Sequence, residues 1–361
     1  VVSVELLTRA ILRIDPTGSV FTSSHLALAN LAYRTNAIEP ALKVLDLDIT
    51  AFPLPRSKDS KPLCDPDLPP SAYISTNGLT GAVKSTSVLE YCFVSALIYM
   101  SRRDWAKAQK ALEQAISHPT KDKGVSRIML ESYKKWVLVS LLNNGEVSSL
   151  PSLTTGSAKH VFGTLAESYG GVAALFVTSN AAQLKAEIEK HGSIWTEDGN
   201  ESLVAEVASA YQKWQILNLR RIYQRVSISK ILDSTFSAET GEPLKSKEAV
   251  LALVRGMVES NMLSGNIEQG EGDEDQYLAF RDDDASLTEA QFAREIARCH
   301  HSITGLGNDY KVANERLAGN KDYVRHLVRE QKRDREDADL ALGFDTQVED
   351  EDLMTGVMVH N

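Results

Sequence analysis

The residues that could do chemistry are few, and their spacing argues against most chemistries. No His-Glu-x-x-His occurs, nor a His-x-His followed by a spaced Asp, so the common zinc peptidase patterns are missing. Cys299-His300-His301 is the one metal-like cluster. Neighbouring helical positions diverge by about 100°, so these three cannot meet on one ion without a second element. They read as one seam cysteine and two solvated histidines. Gly78-Leu79-Thr80-Gly81-Ala82-Val83-Lys84-Ser85 loosely follows a phosphate loop, but Val83 stands where glycine is needed and no strand precedes it. Gly305-Leu306-Gly307 lacks both the third glycine and the preceding strand of a dinucleotide site. Ser227-Ile228-Ser229-Lys230 has a Ser-x-x-Lys spacing that a helix cap explains better. Glu268, Glu271, Asp273, Glu274 and Asp275 crowd one turn, and Asp282 to Asp284 follow it; the spacing is not that of a calcium loop. No cofactor is expected, and no catalytic or metal-binding residue is assigned.

Composition narrows the classes further. The 361 residues carry 39 Lys and Arg against 49 Asp and Glu, a net charge of -10. A nucleic-acid binder is normally basic, so that class is disfavoured. The imbalance is concentrated at one end: three basic and nine acidic residues lie between Gln331 and Asn361. No run of about 18 apolar residues reads as a membrane span. The N-terminus is not signal-like, and Val1 in place of Met suggests a truncated or processed chain. Cys64, Cys92 and Cys299 are odd in number and far apart, which fits a reducing compartment rather than a disulfide framework.

The elements that must position any site are mostly helical. Residues 1–51 show helical spacing at Leu6, Ala10 and Ile14, at Leu28, Leu31 and Ala32, and at Leu42 and Leu45, with Asn36 suited to a turn. Residues 52–87 hold six of the eleven prolines, Pro53, Pro55, Pro62, Pro66, Pro69 and Pro70. Proline removes backbone donors, so this stretch reads as a long extended loop. Helical repeats resume over 88–200. Tyr91 to Ser117 has the pattern of a tetratricopeptide-like hairpin: Tyr99 ends one helix, Trp105 opens the next, and small Ala108 and Ala115 flank Leu112. Further helices are expected at 126–143, 157–168, 172–191 and 201–216, stacked as a solenoid. Trp105, Trp136 and Trp214 lie on helical periods and read as core, with Trp195 near a turn.

Residues 201–285 end differently. Leu219, Ile222, Tyr223 and Val226 suggest a helix, and Ser227 or Ser229 caps a second. The loop from Ala238 to Leu244 follows, then a third helix with Val250, Leu253, Val254, Met257 and Val258 on one face. Leu263–Ile267 and Tyr277–Arg281 read as two strands. Three helices and a hairpin make a winged helix. Its third helix offers Lys247 and Arg255 against Glu248 and Glu259, and its wing is acidic, which argues against DNA. Residues 286–341 read as one long helix with Ser286 and Thr288 as candidate caps and Glu289 suited to its positive end. Ile296, Cys299, Ile303, Leu306, Tyr310, Ala313, Leu317, Asn320, Val324, Leu327 and Gln331 alternate steps of three and four, the heptad period. Such a seam requires partner helices. Gly305, Gly307 and Gly319 weaken the helix, so Gly305–Gly307 is where it would break most readily. Residues 342–361 form an acidic tail.

Helical repeats running into a winged helix resemble the PCI-domain family of the proteasome lid, the COP9 signalosome and a translation initiation factor. Leu219, Tyr223, Val226 and Ile228-Ser229-Lys230-Ile231 are similar to the family's entry into its winged helix. Tyr91 to Ile116, Ile128 to Leu141, Gly145-Glu146-Val147, Leu150-Pro151 and Ser209 to Val226 are similar to the family of signalosome subunit 3. The resemblance covers roughly residues 86–330, with Leu130–Leu141 its most specific part. The loop from Ala238 to Leu244 looks longer than in the family, and the proline-rich stretch and the tail have no clear counterpart. The resemblance implies a non-catalytic scaffold in a complex that removes Nedd8 from cullins of cullin-RING ligases, with the metal site on another subunit. It implies winged helices joined edge to edge, C-terminal helices bundled with those of other signalosome subunits, and a place in cytoplasm and nucleus. The residues expected at the winged-helix edge are Leu263, Ile267, Tyr277, Ala279 and Phe280. Those expected on the helix seam are Ile296, Ile303, Leu306, Tyr310, Leu317, Val324 and Leu327. A proteasome-lid subunit is the rival of the same build; a nucleic-acid regulator and an independent enzyme are rivals of other classes.

Overall fold

In the computed structural model, residues 2–53, 74, 80–119, 124–244, 246–269, 276–281, 288–319, 321 and 323–329 are described. The chain divides into two compact units, Val1–Ala285 and Ser286–Asn361. The first is a series of helices closed by a small three-stranded sheet.

Three helices begin it: α1 (Val2–Ile14), α2 (Ser23–Thr35) and α3 (Ile38–Leu45). The buried side of α1 is Val4, Thr8 and Ile11; of the helically spaced Leu6, Ala10 and Ile14, the first two are exposed and Ile14 is half-buried. Both readings keep a helical period; only the neighbours α2 and α3, which α1 packs against, decide between them. Asn36 ends α2 in the left-handed conformation at φ 52°, where asparagine's short polar side chain costs little. The N-terminus of α2 has a capping box in which His25 takes the place of the usual acid. Its Nδ1 accepts from the Thr22 N–H at 3.1 Å. The ring is buried among Phe21 and Tyr91.

Most of the proline-rich stretch falls outside the described residues, including Pro55, Pro62, Pro66, Pro69, Pro70 and Cys64. Where the chain is described again, Thr80 and Gly81 bind the start of α2: the Ser23 N–H donates to Thr80 Oγ1 at 3.0 Å, and the Gly81 N–H to Ser23 Oγ at 3.0 Å. Ser85 then opens a helix, while Gly78 and Leu79 lie outside the described residues.

The solenoid continues through α4 (Ser85–Ser101), α5 (Trp105–Ile116) and α6 (Arg127–Asn144). Ala108, Leu112 and Ala115 are fully buried, as small residues let α4, α5 and α6 pack closely. Asp104 caps α5 and Ser126 caps α6, each accepting from a backbone N–H three residues on. Helix α6 is buried on nearly every side, with Trp136, Leu138, Val139 and Leu141 in the core.

After α6 come α7 (Gly156–Leu165), α8 (Glu167–Phe176), α9 (Ala181–Lys190), α10 (Gly192–Glu197) and α11 (Glu201–Leu219). The single helix expected over 172–191 is thus two, because the Asn180 side chain caps a new start by accepting from the Gln183 N–H. The helix expected over 219–226 is not formed. Helix α11 stops at Leu219, Ile222 and Tyr223 lie exposed in a turn, and Val226 sits in strand β1 (Arg225–Ser227). Ser227 then caps α12 (Ile228–Ser234), accepting from the Lys230 N–H at 3.1 Å. Helix α13 (Lys247–Glu259) and strands β2 (Gly265–Gln269) and β3 (Gln276–Phe280) complete the winged helix. The sheet order is β1-β3-β2, antiparallel throughout. The strands are therefore shifted from the expected Leu263–Ile267 and Tyr277–Arg281, and the acidic turn 270–275 lies outside the described residues.

The described core forms two clusters. One runs through the repeats from Val4 to Tyr211 and includes Ala238; the other holds Ile216, Val226, Ile228, Ile231, Val250, Val254, Met257, Leu263 and Leu278. Helix α11 supplies both, with Val204, Val207 and Tyr211 in the first and Ile216 in the second. Beside it, Lys134 Nζ pairs with Asp198 at 2.6 Å, Tyr169 donates to Asp198 Oδ2 at 2.7 Å, and Asn200 donates to the Tyr169 hydroxyl at 2.7 Å. Lys135 Nζ donates to Asn200 Oδ1. Burial pushes the Tyr169 hydroxyl well up, which keeps its proton in place for Asp198.

The second unit begins with α14 (Glu289–Ala318), capped by Thr288 and Gln291 in a reciprocal capping box. The helix runs unbroken through Gly305 and Gly307, where an added Cβ would meet no group from outside the local helix backbone within 4 Å. The interruption falls at Gly319, and residues 323–329 are helical again. Asn320, Gln331 and the acidic tail lie outside the described residues.

Two outcomes follow from this packing. Gly145 ends α6 at φ +74°, and a Cβ there would come within 2.5 Å of the Trp214 ring. Gly145→Ala should therefore cost about 1–3 kcal/mol in urea unfolding. Burial lowers the His25 pKa from 6.5 to about 4. The unfolded chain then binds a proton that the folded chain resists, so stability should be lost as pH falls from 6.5 towards about 4. Unfolding of His25→Gln measured across that range should show a flatter dependence.

Candidate partner interface

Two surfaces present unsatisfied or apolar groups. The first is the outer edge of β2. Its register follows from two bonds: the Phe280 N–H donates to Gln224 O, and the Arg281 N–H to Ser264 O, both at 2.9 Å. Backbone groups alternate direction along a strand. Residues 276, 278 and 280 of β3 therefore face β1, and 277 and 279 face β2. On β2, the N–H and C=O groups of Asn266 and Glu268 turn inward, while those of Gly265, Ile267 and Gln269 turn away from the sheet. No described strand lies on that side. An open edge of this kind can accept an added strand.

The expected edge residues divide accordingly. Ile267 lies on the open edge. Tyr277, Ala279 and Phe280 do not, because β3 is the central strand and is paired on both sides. Leu263 precedes β2 and is buried in the winged-helix core. The edge was misplaced because β1, three residues long, is too short to show a strand pattern. Tyr277 and Ala279 instead lie on the solvent face of the sheet. There the Arg225 guanidinium covers the Tyr277 ring at 5.5 Å and pairs with Glu268 at 2.8 Å across it.

The second surface is the stripe of α14. Ile296, Ile303, Leu306, Tyr310 and Leu317 are all exposed, as are Val324 and Leu327 in the helical stretch beyond, with Ile303 68 % and Tyr310 72 % accessible. Phe292, one heptad before Cys299, extends the stripe and was missed by starting the count at Ile296. Large apolar side chains on one heptad line form the half of a coiled-coil or bundle contact that a helix contributes.

Among the described residues no three His, Cys, Asp or Glu side chains converge as a metal site. Cys299, His300 and His301 are exposed. Cys92 is buried and its thiol is pushed up to about 11 by that burial, which makes it a poor nucleophile. Among the described residues no helix is long and apolar enough to cross a membrane.

The fold is that of a helical-repeat protein closed by a winged helix. A family model described as COP9 signalosome complex subunit 3, N-terminal helical repeats, matches residues 1–157. COP9 signalosome complex subunit 3 of Neurospora crassa is 38 % identical over 371 residues, covering 99 % of this chain and 75 % of that protein. The subunit 3 of Emericella nidulans is 30 % identical over 244 residues, covering 67 % of this chain and 49 %, about half, of that protein. The chain belongs to the COP9 signalosome subunit 3 family.

Core and surface roles separate experimentally. Leu263→Ala should cost about 2–5 kcal/mol in chemical unfolding of the isolated chain, as a buried leucine does. Ile303→Ala should change it by less than about 0.5 kcal/mol, since an exposed side chain loses nothing within the monomer.

Proposed function

We propose that this chain is a non-catalytic scaffold subunit of the signalosome, the assembly that removes Nedd8 from cullin-RING ligases. It joins neighbouring subunits by strand addition at the open edge of β2 and by burying the stripe of α14 in a bundle of their helices. The exposed heptad stripe carries this reading. Apolar groups gain about 25 cal/mol per Å² when removed from water, so a stripe of this length favours association. The Neurospora and Emericella relatives, named as subunits of this complex, support the choice of assembly. Other signalosome subunits are then its partners, cullin-RING ligases are met only through the complex, and the complex works in cytoplasm and nucleus. Deneddylation itself falls to another subunit.

Two changes test the two surfaces separately. Removal of the chain from Thr288 onward should abolish incorporation into the complex; normal assembly would contradict the proposal. Ile267→Pro removes an N–H that points away from the sheet and leaves the bonds to β3 intact. The variant should fold yet be recovered with fewer neighbouring subunits in a pull-down.

A further inference from the structure

A third surface lies where the repeats meet the winged helix, inside the first unit. It is an open groove of about 1010 Å³. Leu142, Ala210, Leu217, Met262, Trp105 and Trp214 line it together with polar residues such as Asn143, Ser202 and Ser209. That volume lies at the upper end of ligand pockets, and the open form suits a short stretch of chain. None of the surfaces assigned to assembly above contributes to it.

Its charge is biased. Glu206 is the one acidic residue lining it, and the Arg103 Nε holds that carboxylate at 2.9 Å. Lys213 also lines the groove and makes no ion pair among the described residues. The groove therefore carries one uncompensated positive charge in a chain whose net charge is -10. Arg103 also holds an unusual backbone, at φ +58°. Glycine would fill that turn without the steric cost of about 1–2 kcal/mol that a side chain meets there. The arginine spends that cost on a side chain 74 % accessible, whose terminal nitrogens lie beyond the Nε contact and match a carboxylate in bidentate geometry.

We propose that this groove binds an extended acidic segment of a partner protein, with a carboxylate set between Arg103 and Lys213 and an adjacent apolar side chain against the apolar part of the lining. The proposal goes beyond the assembly reading and is tested on the full chain alone. The probes are a short fluorescein-labelled peptide of alternating Glu and Phe and a twin with Lys in place of Glu, followed by fluorescence anisotropy. The Glu peptide should bind and the Lys twin should not. Arg103→Gly and Lys213→Ala should each weaken binding about three- to tenfold, while Lys230→Ala, an exposed lysine outside the groove, should leave it unchanged. Arg103→Gly should melt no lower than the parent chain, because glycine relieves the left-handed turn; weaker binding then cannot be ascribed to unfolding. Absence of binding, equal binding of both peptides, or unchanged affinity in both groove variants would overturn the proposal.

Discussion

One helix belongs to two cores. Val204, Val207 and Tyr211 of α11 are buried among the repeats, and Ile216, about one and a half turns after Tyr211, is buried in the winged helix. A continuous α-helix cannot bend sharply without proline, a bulge or an inserted group, so the direction of α11 fixes how the winged helix leaves the solenoid. Its start is held by the buried network of Lys134, Asp198, Tyr169 and Asn200. Each member satisfies another, which is the condition under which a buried polar network rigidifies a structure. Further along, Gln215 Oε1 accepts the Phe236 N–H at 2.8 Å, and Ala238 packs into the repeats. The loop after α12 therefore closes the junction from the other side.

A rigid junction has a consequence for the surfaces. Strand addition at β2 is directional, because hydrogen bonds form only along one edge and in one register. With the winged helix fixed to the repeats, a neighbour paired at that edge also fixes where the solenoid points. The stripe of α14 works differently. Apolar burial is strong but indifferent to direction, so in the proposed assembly it would supply affinity while the edge would supply orientation. A chain with no convergent catalytic cluster among its described residues is suited to that division of labour.

Much of this was legible in the residues. Ala108, Leu112 and Ala115 specify a close-packed hairpin, and the three- and four-residue steps from Ile296 to Leu327 specify a seam, because both patterns repeat over several turns. The misreadings share a cause. Val226 continues a helical period from Leu219 yet forms β1, because three residues cannot show strand alternation and the capping serine at 227 gave the only local sign of a boundary. That error hid the central position of β3 and so misplaced the edge at Tyr277, Ala279 and Phe280. Leu6 keeps the helical period of α1 yet is exposed, because several faces of an apolar helix share one period and only tertiary packing selects among them. Gly305 and Gly307 stay helical since the cost of about 1 kcal/mol each is spread over a 30-residue helix. The groove had no sequence signal at all: Arg103 is far in the chain from Glu206 and Lys213, which share α11, and it meets them only through the packing of α5, α6 and α11.

The most direct test of the scaffold account is the composition of the assembly that forms on the full chain in cells. A tagged chain recovered at moderate salt, with its partners identified by mass and the eluate assayed for removal of Nedd8 from a cullin, should bring several other signalosome subunits and that activity. Recovery of the chain alone, or of proteasome-lid subunits in their place, would contradict it.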